Sequence, residues 1–299
     1  MFVKFSGGEG RIRTYVAEAA DLQSAGINHS PTSPFKGSYL CSRMTLSKLI
    51  FILKKLKKDK ILQNLLSNRL NIDIFEEIDS TNDECKRISI ENDLHIIIAE
   101  KQTKGKGRLG KKWSSPDTGN IYMSISTEKD LSCGPISLFT GLICKKSIDT
   151  TINKEKIGLK WPNDLVLENK KIGGILVETE SFNKKTRTII GIGINLNLPK
   201  KESWWGDLSK FNIADKREIL ISEIISGFIS ALDNPNVEWL NEWKKACTHM
   251  NQEIEINKNG QLLKNIIFHD IDDSGSAIIK TEDGYDKFTS GEINIKGVY

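Results

Sequence analysis

The sequence predicts an α+β layer fold that ends in a small β-barrel. Strand-like and helix-like segments follow one another without the strict βαβ alternation of a parallel-sheet protein. From Gln252 onward the chain switches to short alternating strands separated by turn signals at Asn259-Gly260, Asp273 to Gly275 and Asp283-Gly284, the signature of a compact all-β unit. Its 299 residues, 38% hydrophobic and 27% charged, suffice for one large or two smaller packed domains and are too apolar for a disordered chain.

Residues 1–43 differ from the rest. They are rich in Gly, Ser, Ala and Pro, broken at Pro31, Pro34 and Gly37, and read as a disordered leader. Met44 opens the first periodic segment, which raises the expectation that translation starts there and that the leader is not native. Residues 44–72 read as a lysine-rich helical segment. Leu46, Leu49, Ile50, Leu53 and Leu56 keep helical spacing, and Leu62, Leu65 and Leu66 continue it beyond a cluster of lysines, giving one amphipathic helix or a pair. A lysine face of this kind is expected to be solvated over a packed stripe rather than to bind nucleic acid.

The larger domain is expected over 73–250 and the C-terminal one over 251–299. Ser80-Thr81-Asn82-Asp83-Glu84 is a helix start with capping spacing. Leu94 to Glu100 and Ile121 to Ser126 read as strands, and Pro135 to Thr151 as a helix with Ile136, Phe139, Leu142 and Ile143 on one face. Strands follow at Gly158 to Trp161, Leu165 to Leu167, Gly174 to Glu180 and Thr188 to Leu196, the last two an antiparallel pair turning at Asn183-Lys184-Lys185. Arg217 to Leu232 and Val237 to Met250 read as helices.

Composition narrows the function classes. The net charge is only +4, which permits a nucleic-acid partner without requiring one. The five cysteines, Cys41, Cys85, Cys133, Cys144 and Cys247, form no CxxC pair and no metal-ligand spacing with the four histidines. A reduced cytoplasmic protein without a zinc site is expected. No apolar run approaches membrane-spanning length, and no signal-peptide core opens the chain, so no membrane partner is expected.

Two segments carry the chemistry. The first is Gly105-Lys106-Gly107-Arg108-Leu109-Gly110-Lys111-Lys112-Trp113. Its glycines match GxGxxG, but a dinucleotide loop must open a helix, and here Trp113-Ser114-Ser115-Pro116 leads into a strand, so a nicotinamide oxidoreductase is disfavoured. Cations alternating with small residues instead suit a loop that closes on an anion and is mobile without one. The second is Lys160-Trp161-Pro162-Asn163-Asp164, leading to Lys171-Ile172-Gly173-Gly174. Asp164 could take Mg²⁺ beside a nucleoside triphosphate or close an Asx turn. Lys171 is either an exposed lysine or a point charge between carboxylate and phosphate. In Gly191-Ile192-Gly193-Ile194-Asn195 the absent side chains leave room against a strand.

In order, Ser80-Thr81-Asn82, Gln102 with the glycine loop, then KWPND, KIGGILVE and GIGINLN resemble the biotin protein ligases, over about residues 74 to 299. The resemblance implies a central mixed sheet flanked by helices, of the class II synthetase-like type, with an SH3-like C-terminal barrel. It implies activation of biotin by MgATP to biotinyl-5′-AMP and transfer to a lysine of a biotin carboxyl carrier protein. It also implies site roles. Ser80, Thr81, Asn82 and Gln102 would bind biotin, and Gly107, Arg108 and Leu109 would cover it. Lys171 would meet its carboxyl and the phosphate, and with Arg108 would be catalytic. Lys106, Arg108, Trp113, Asn163, Asp164 and Asn195 would serve the nucleotide, and Asp164 a Mg²⁺ ion. Family loops usually read GRGRxGR, whereas Lys106 and Lys111 stand here in place of two arginines. A lipoate-type ligase of the same superfamily is the nearest rival, and a biotin-responsive DNA-binding repressor the next. The lysine-rich segment is too short for a winged helix, so no DNA partner is expected; a homodimer is compatible with the sequence.

Overall fold

Seven strands form the central sheet, in the order β1-β2-β3-β7-β6-β5-β4. The computed structural model describes residues 55–296 except 66, 132–133, 183–184, 200–201, 235–237 and 259. The leader and the helical stretch expected before residue 55 therefore lie outside the described residues. The strands are β1 (Leu70–Ile78), β2 (Leu94–Gln102), β3 (Ile121–Thr127), β4 (Gly158–Lys160), β5 (Asp164–Leu167), β6 (Lys170–Phe182) and β7 (Lys185–Ile194). Only β1 and β2 run parallel; every other neighbouring pair is antiparallel. A mixed sheet of this kind has no parallel crease for a dinucleotide.

The alternation of side chains assigns each face of the sheet a task. Ile96, Ile98, Ile121, Met123, Ile125, Ile190, Ile192 and Ile194 point into the main core. There they meet α3 (Ile136–Ile152), α4 (Arg217–Asp233) and α5 (Trp239–Ala246). On the opposite face Ile97 and Ile189 pack with Cys85 of α2 (Thr81–Arg87). That second face also carries Ser124, Gly174, Gly191 and Gly193, whose small side chains leave it uncovered between α2 and the C-terminal strands. The cavity described below occupies this gap.

The helical reading of residues 45–70 needs correction. Among the described residues only α1 (Lys58–Gln63) is helical there, and Leu70 already opens β1. Ile61 and Leu65 are buried and Ser222 Oγ of α4 donates to Ile61 O at 2.9 Å, so the short helix packs onto the body of the protein. Strand β1 was not anticipated. Its Leu70, Ile72 and Ile74 alternate with period two, but three acidic residues, Asp73, Glu76 and Glu77, dilute the apolar signal, and it is fixed by long-range pairing with β2. The C-terminal helix is also shorter than expected, ending at Ala246 instead of Met250.

Strands β8 (Glu253–Lys258), β9 (Gln261–Ile271), β10 (Ala277–Thr281), β11 (Gly284–Phe288) and β12 (Ile293–Lys296) form a five-stranded antiparallel sheet ordered β11-β10-β9-β8-β12. No ladder joins β11 to β12 among the described residues, so the sheet is open where a closed barrel was expected. Bulges at Ile254/Ile256 and Ile278/Ile279 bend the strands instead. Trp161 ties this sheet to the larger one: its Nε1 donates to Gly275 O at 3.0 Å and its ring packs on Phe268. The buried side chains of both sheets form one continuous core.

Candidate active site

The glycine-rich segment folds as a hairpin that roofs the gap. Lys106 pairs with Lys112 in an antiparallel bridge, Gly107 N donates to Lys111 O at 2.7 Å, and Trp113 N donates to Gly105 O at 2.9 Å. At its tip Leu109 and Gly110 take positive φ, 54° and 71°. No α-helix starts there, only a single 3-10 turn over Arg108–Gly110, and the GxGxxG spacing is that of a hairpin roof. A Cβ at Gly105 would fall 2.5 Å from Trp113 O, so the closing rung requires glycine.

Beneath the roof lies a cavity of about 640 Å³. It gathers every residue singled out from the sequence: Ser80, Thr81, Asn82, Gln102, Lys106, Gly107, Arg108, Leu109, Trp113, Asn163, Asp164, Lys171 and Asn195 all line it.

One end is polar and buried. Ser80 caps α2, accepting from Asp83 N at 3.4 Å, and Ser80, Thr81 and Asn82 are all under 5% exposed. Thr81 N and Oγ1 donate to Gln102 Oε1 at 2.9 and 3.1 Å, and Gln102 Nε2 donates to Ser115 Oγ at 2.8 Å. Ser124 Oγ lies 2.7 Å from Thr81 Oγ1 and 2.6 Å from Asn82 Oδ1, while Asn82 Nδ2 donates to Glu178 Oε2 at 2.7 Å. A Cβ at Gly191 would strike Asn82 Oδ1 at 2.3 Å; the glycine lets this amide lie flat on the sheet. A network so fully bonded presents fixed donors and acceptors to a small polar ring.

The other end is cationic. Arg108, Lys111, Lys112, Lys160, Lys171 and Lys296 line the cavity, against Asp164 as the lone carboxylate of the lining, while Lys106 turns toward α2, where it pairs with Asp83. Lys171 Nζ stands 2.5 Å from Asp164 Oδ1 and 5.6 Å from the centre of the Trp113 ring. Trp113 lies over the backbone of Gly193 and Gly174, where a Cβ would sit 2.5 and 3.2 Å from the indole. Its Nε1 is buried without a hydrogen-bond partner among the described residues, a donor placed for an acceptor that the protein does not supply.

The turn after β4 positions the remaining groups. The Trp161-Pro162 peptide is cis. Asn163 Nδ2 donates to Ile175 O at 2.8 Å and Asn163 Oδ1 accepts from Arg108 Nη1 at 3.0 Å, so the side chain bridges strands and roof. Asn195 N donates to Ile172 O at 2.7 Å and its Nδ2 to Gly206 O at 3.1 Å, which holds the 204–206 segment against Lys171.

Burial pulls the Arg108 guanidinium below its usual pKa, with Asp164 opposing the change. Burial likewise brings Lys160 down to about 8; Asp164 opposes this and Lys171 adds to it. Lys160 sits opposite Asp164 in the β4–β5 register. Sequence reasoning quoted Lys160 within its motif but gave it no role, and it did not foresee the wall supplied by Asn257, Asn294 and Lys296 of the C-terminal sheet. No local pattern marks those residues; only the packing of the two sheets brings them in.

Among the described residues no three His, Cys, Asp or Glu groups converge as a metal cage. The lone Asp164 fits Mg²⁺ only as that ion arrives with phosphates, which supply most of its ligands.

A cation-walled cleft roofed by a glycine hairpin on a mixed sheet, with a closed polar niche at one end, defines a ligase that joins an acid to a nucleotide. Residues 74–195 match the model of the biotin/lipoate A/B protein ligase family. The chain is 28% identical over 242 residues to the bifunctional ligase/repressor BirA of Salmonella typhimurium, covering 76% of this chain and 74% of that protein. It is 24% identical over 220 residues to the biotin--[acetyl-CoA-carboxylase] ligase of Paracoccus denitrificans, covering 67% of this chain and 90% of that one. The biotin protein ligase of Aquifex aeolicus, solved in complex with biotin and ATP, superposes with a TM-score of 0.63 at 25% identity and covers 76% of this chain and 98% of its own. The chain is thus similar to biotin protein ligases, with the family model itself matching residues 74–195.

Proposed function

We propose that this enzyme activates biotin with ATP and transfers it to a lysine of a biotin carboxyl carrier protein. The observation that carries the reading is the position of Lys171. It stands in one cavity with the polar niche of Ser80 to Asn82 and Gln102, beside the slot of Trp113 over Gly174 and Gly193. A carboxylate held from the niche and an α-phosphate held from the slot would meet at its ammonium group.

In the first step a biotin carboxylate oxygen bonds to the α-phosphorus and the bond to pyrophosphate breaks, leaving biotinyl-5′-AMP. In the second the neutral amine of the carrier lysine attacks the acyl carbon, the amide forms, and AMP leaves. Lys171 and Arg108 face the charge that spreads over phosphate and carboxylate, a contribution of electrostatics and positioning that requires no protein nucleophile. Thr81, Asn82 and Gln102 would fix the ureido ring, with Ser80 holding the turn that presents them. Gly107, Arg108 and Leu109 would exclude water from the mixed anhydride. Trp113, Asn163 and Asn195 would serve the nucleotide with Lys106, and Asp164 would hold the Mg²⁺ that neutralises the triphosphate.

Five short antiparallel strands with two bulges support an SH3-like assignment for 251–299, against which the β11–β12 ladder missing among the described residues counts, beside a catalytic domain over 73–250. The packing of Ile61 and Leu65 into the core supports a structural role for the lysine-rich segment rather than operator binding; a salt-dependent mobility shift of duplex DNA would argue the reverse. Cys85, Cys144 and Cys247 are free thiols whose pKa burial pushes to about 12, which fits a reducing cytoplasm. No helix among the described residues is long and apolar enough to cross a membrane.

Incubation with biotin, MgATP and a carboxyl carrier domain tests the reaction. A mass gain of one biotinyl group, lost when the acceptor lysine is replaced by arginine, is expected; an unmodified carrier in the presence of active adenylate formation would remove the transfer step.

A further inference from the structure

Arg108 is the point where the hairpin roof meets both sheets. Its Nη1 donates to Asn163 Oδ1 at 3.0 Å, on the turn after β4, and its Nη2 donates to Ser290 Oγ at 2.9 Å, on the turn between β11 and β12. The rest of the tip has little beneath it. Leu109 is 68% exposed, and a Cβ at Gly110 would meet nothing within 4 Å. Away from the tip, Lys106 Nζ reaches Asp83 of α2 across an exposed contact.

The Ser290 turn is itself built. Thr289 N and Oγ1 both donate to Glu292 Oε2, and Glu292 N donates to Thr289 O at 3.2 Å. Gly291 takes φ 114°, and its Cβ position would lie 4.0 Å from Arg108 Nη2, so the backbone passes close by the guanidinium. A tight, self-bonded turn presents Ser290 as a fixed acceptor, and the planar fork of arginine can satisfy two acceptors on different elements at once, which a lysine cannot do with the same rigidity.

We propose that Ser290 is a positioning residue which latches the 105–113 hairpin shut by holding Arg108 from the C-terminal sheet. The proposal rests on the biotin-activating reading for its consequence, retention of the adenylate, but not for the latch itself. The C-terminal sheet thereby acts on the active site in two ways: Asn294 and Lys296 wall the cavity, and Ser290 sets how long the roof stays down. Closure is then shared between Asn163, which belongs to the cavity floor, and a residue that touches neither substrate.

The test compares Ser290→Ala with Ser290→Thr, which keeps the hydroxyl. Ser290 is exposed, so both variants are expected to melt with the unaltered enzyme. In hydrogen exchange without any ligand, the Gly107 and Lys111 amides of Ser290→Ala should exchange faster by roughly three- to tenfold, the worth of one hydrogen bond, while Ser290→Thr stays near the original rate. Enzyme preloaded with biotin and MgATP should lose biotinyl adenylate to solution faster by a similar factor in Ser290→Ala, with kcat for pyrophosphate exchange less affected than retention. Unchanged exchange of the hairpin in Ser290→Ala, or equal impairment in Ser290→Thr, overturns the latch. Because the exchange arm uses no ligand, it decides the latch separately from the functional reading, against which failure of the unaltered enzyme to form adenylate would count alone.

Discussion

The ammonium of Lys171 on β6 lies 2.5 Å from the carboxylate of Asp164 on the neighbouring strand β5, with both side chains less than 20% exposed. An ion pair this close stores an exchange: when a carboxylate and a phosphate enter, the lysine can turn to them while Asp164 turns to the accompanying cation. Lys171→Gln keeps a polar, hydrogen-bonding side chain of slightly shorter reach but removes the charge. It should lower kcat/KM for pyrophosphate exchange by about 10²-fold or more, as expected for a group facing transition-state charge. Stopped-flow or steady-state exchange checks this, and a loss confined to KM would assign Lys171 to ground-state binding only.

Arg108→Gly should leave the fold intact and release the roof, since it removes two charge-assisted bonds, to Asn163 and Ser290. Dissociation of biotinyl-AMP should accelerate by about tenfold or more. A quench-and-chromatography assay of free against bound adenylate measures it; an unchanged bound fraction contradicts the covering role.

Gly193→Ala probes the slot. The new methyl would collide with the Trp113 indole at 2.5 Å and push the ring off its floor. A displacement of about 1 Å near the reacting groups is worth up to ~10²-fold, so KM for ATP should rise steeply while KM for biotin changes much less. Equal rises in both would place Trp113 elsewhere in the mechanism.

Lys160 gives the pH signature. Its folded pKa of about 8 lies below the ordinary lysine value of 10.5, with burial the main cause. The unfolded chain therefore binds more protons between about pH 8 and 10.5, and stability rises with pH across that window; below pH 8 the cost of the buried charge is present in full. That cost is on the order of 3 kcal/mol at most. Lys160→Met should flatten the rise in urea stability over this range, raise stability at pH 7 and weaken nucleotide binding. A parallel pH profile for variant and original would show that Lys160 does not carry the effect.

Arg217 and Glu100 form a pair at 2.7 Å with 4% and 3% of their side chains exposed, and Glu100 Oε1 also accepts from Leu56 N at 2.7 Å. Arg217→Met strands a buried carboxylate and should cost about 3–5 kcal/mol. Adding Glu100→Gln should recover much of that loss. Urea unfolding of the single and double variants measures the coupling, and a single-variant cost under 1 kcal/mol would contradict it.

Much of this site was legible because its chemistry is local in sequence. The capping spacing of Ser80 to Glu84, the glycines of the roof and the order of the motifs each reflect a short-range requirement, and the site residues predicted from them line one cavity. What escaped depends on distance. Strand β1 is marked by acidic residues along its length and exists through pairing with β2. The edge of the C-terminal sheet reaches the cavity only because Trp161 and Phe268 bring the two sheets together. Ser290 lies in an ordinary turn sequence, and its meaning comes from Arg108, far away along the chain. The open pairing of β11 and β12 was equally invisible, since alternation shows that strands exist but not whether their edges meet.

The central claim is that the polar niche and the cationic slot together activate biotin. ATP–pyrophosphate exchange measured with biotin and then with lipoate tests it most directly. Exchange that depends on biotin and is absent with lipoate is the expected result; exchange driven by lipoate, or none with either acid, would contradict the account.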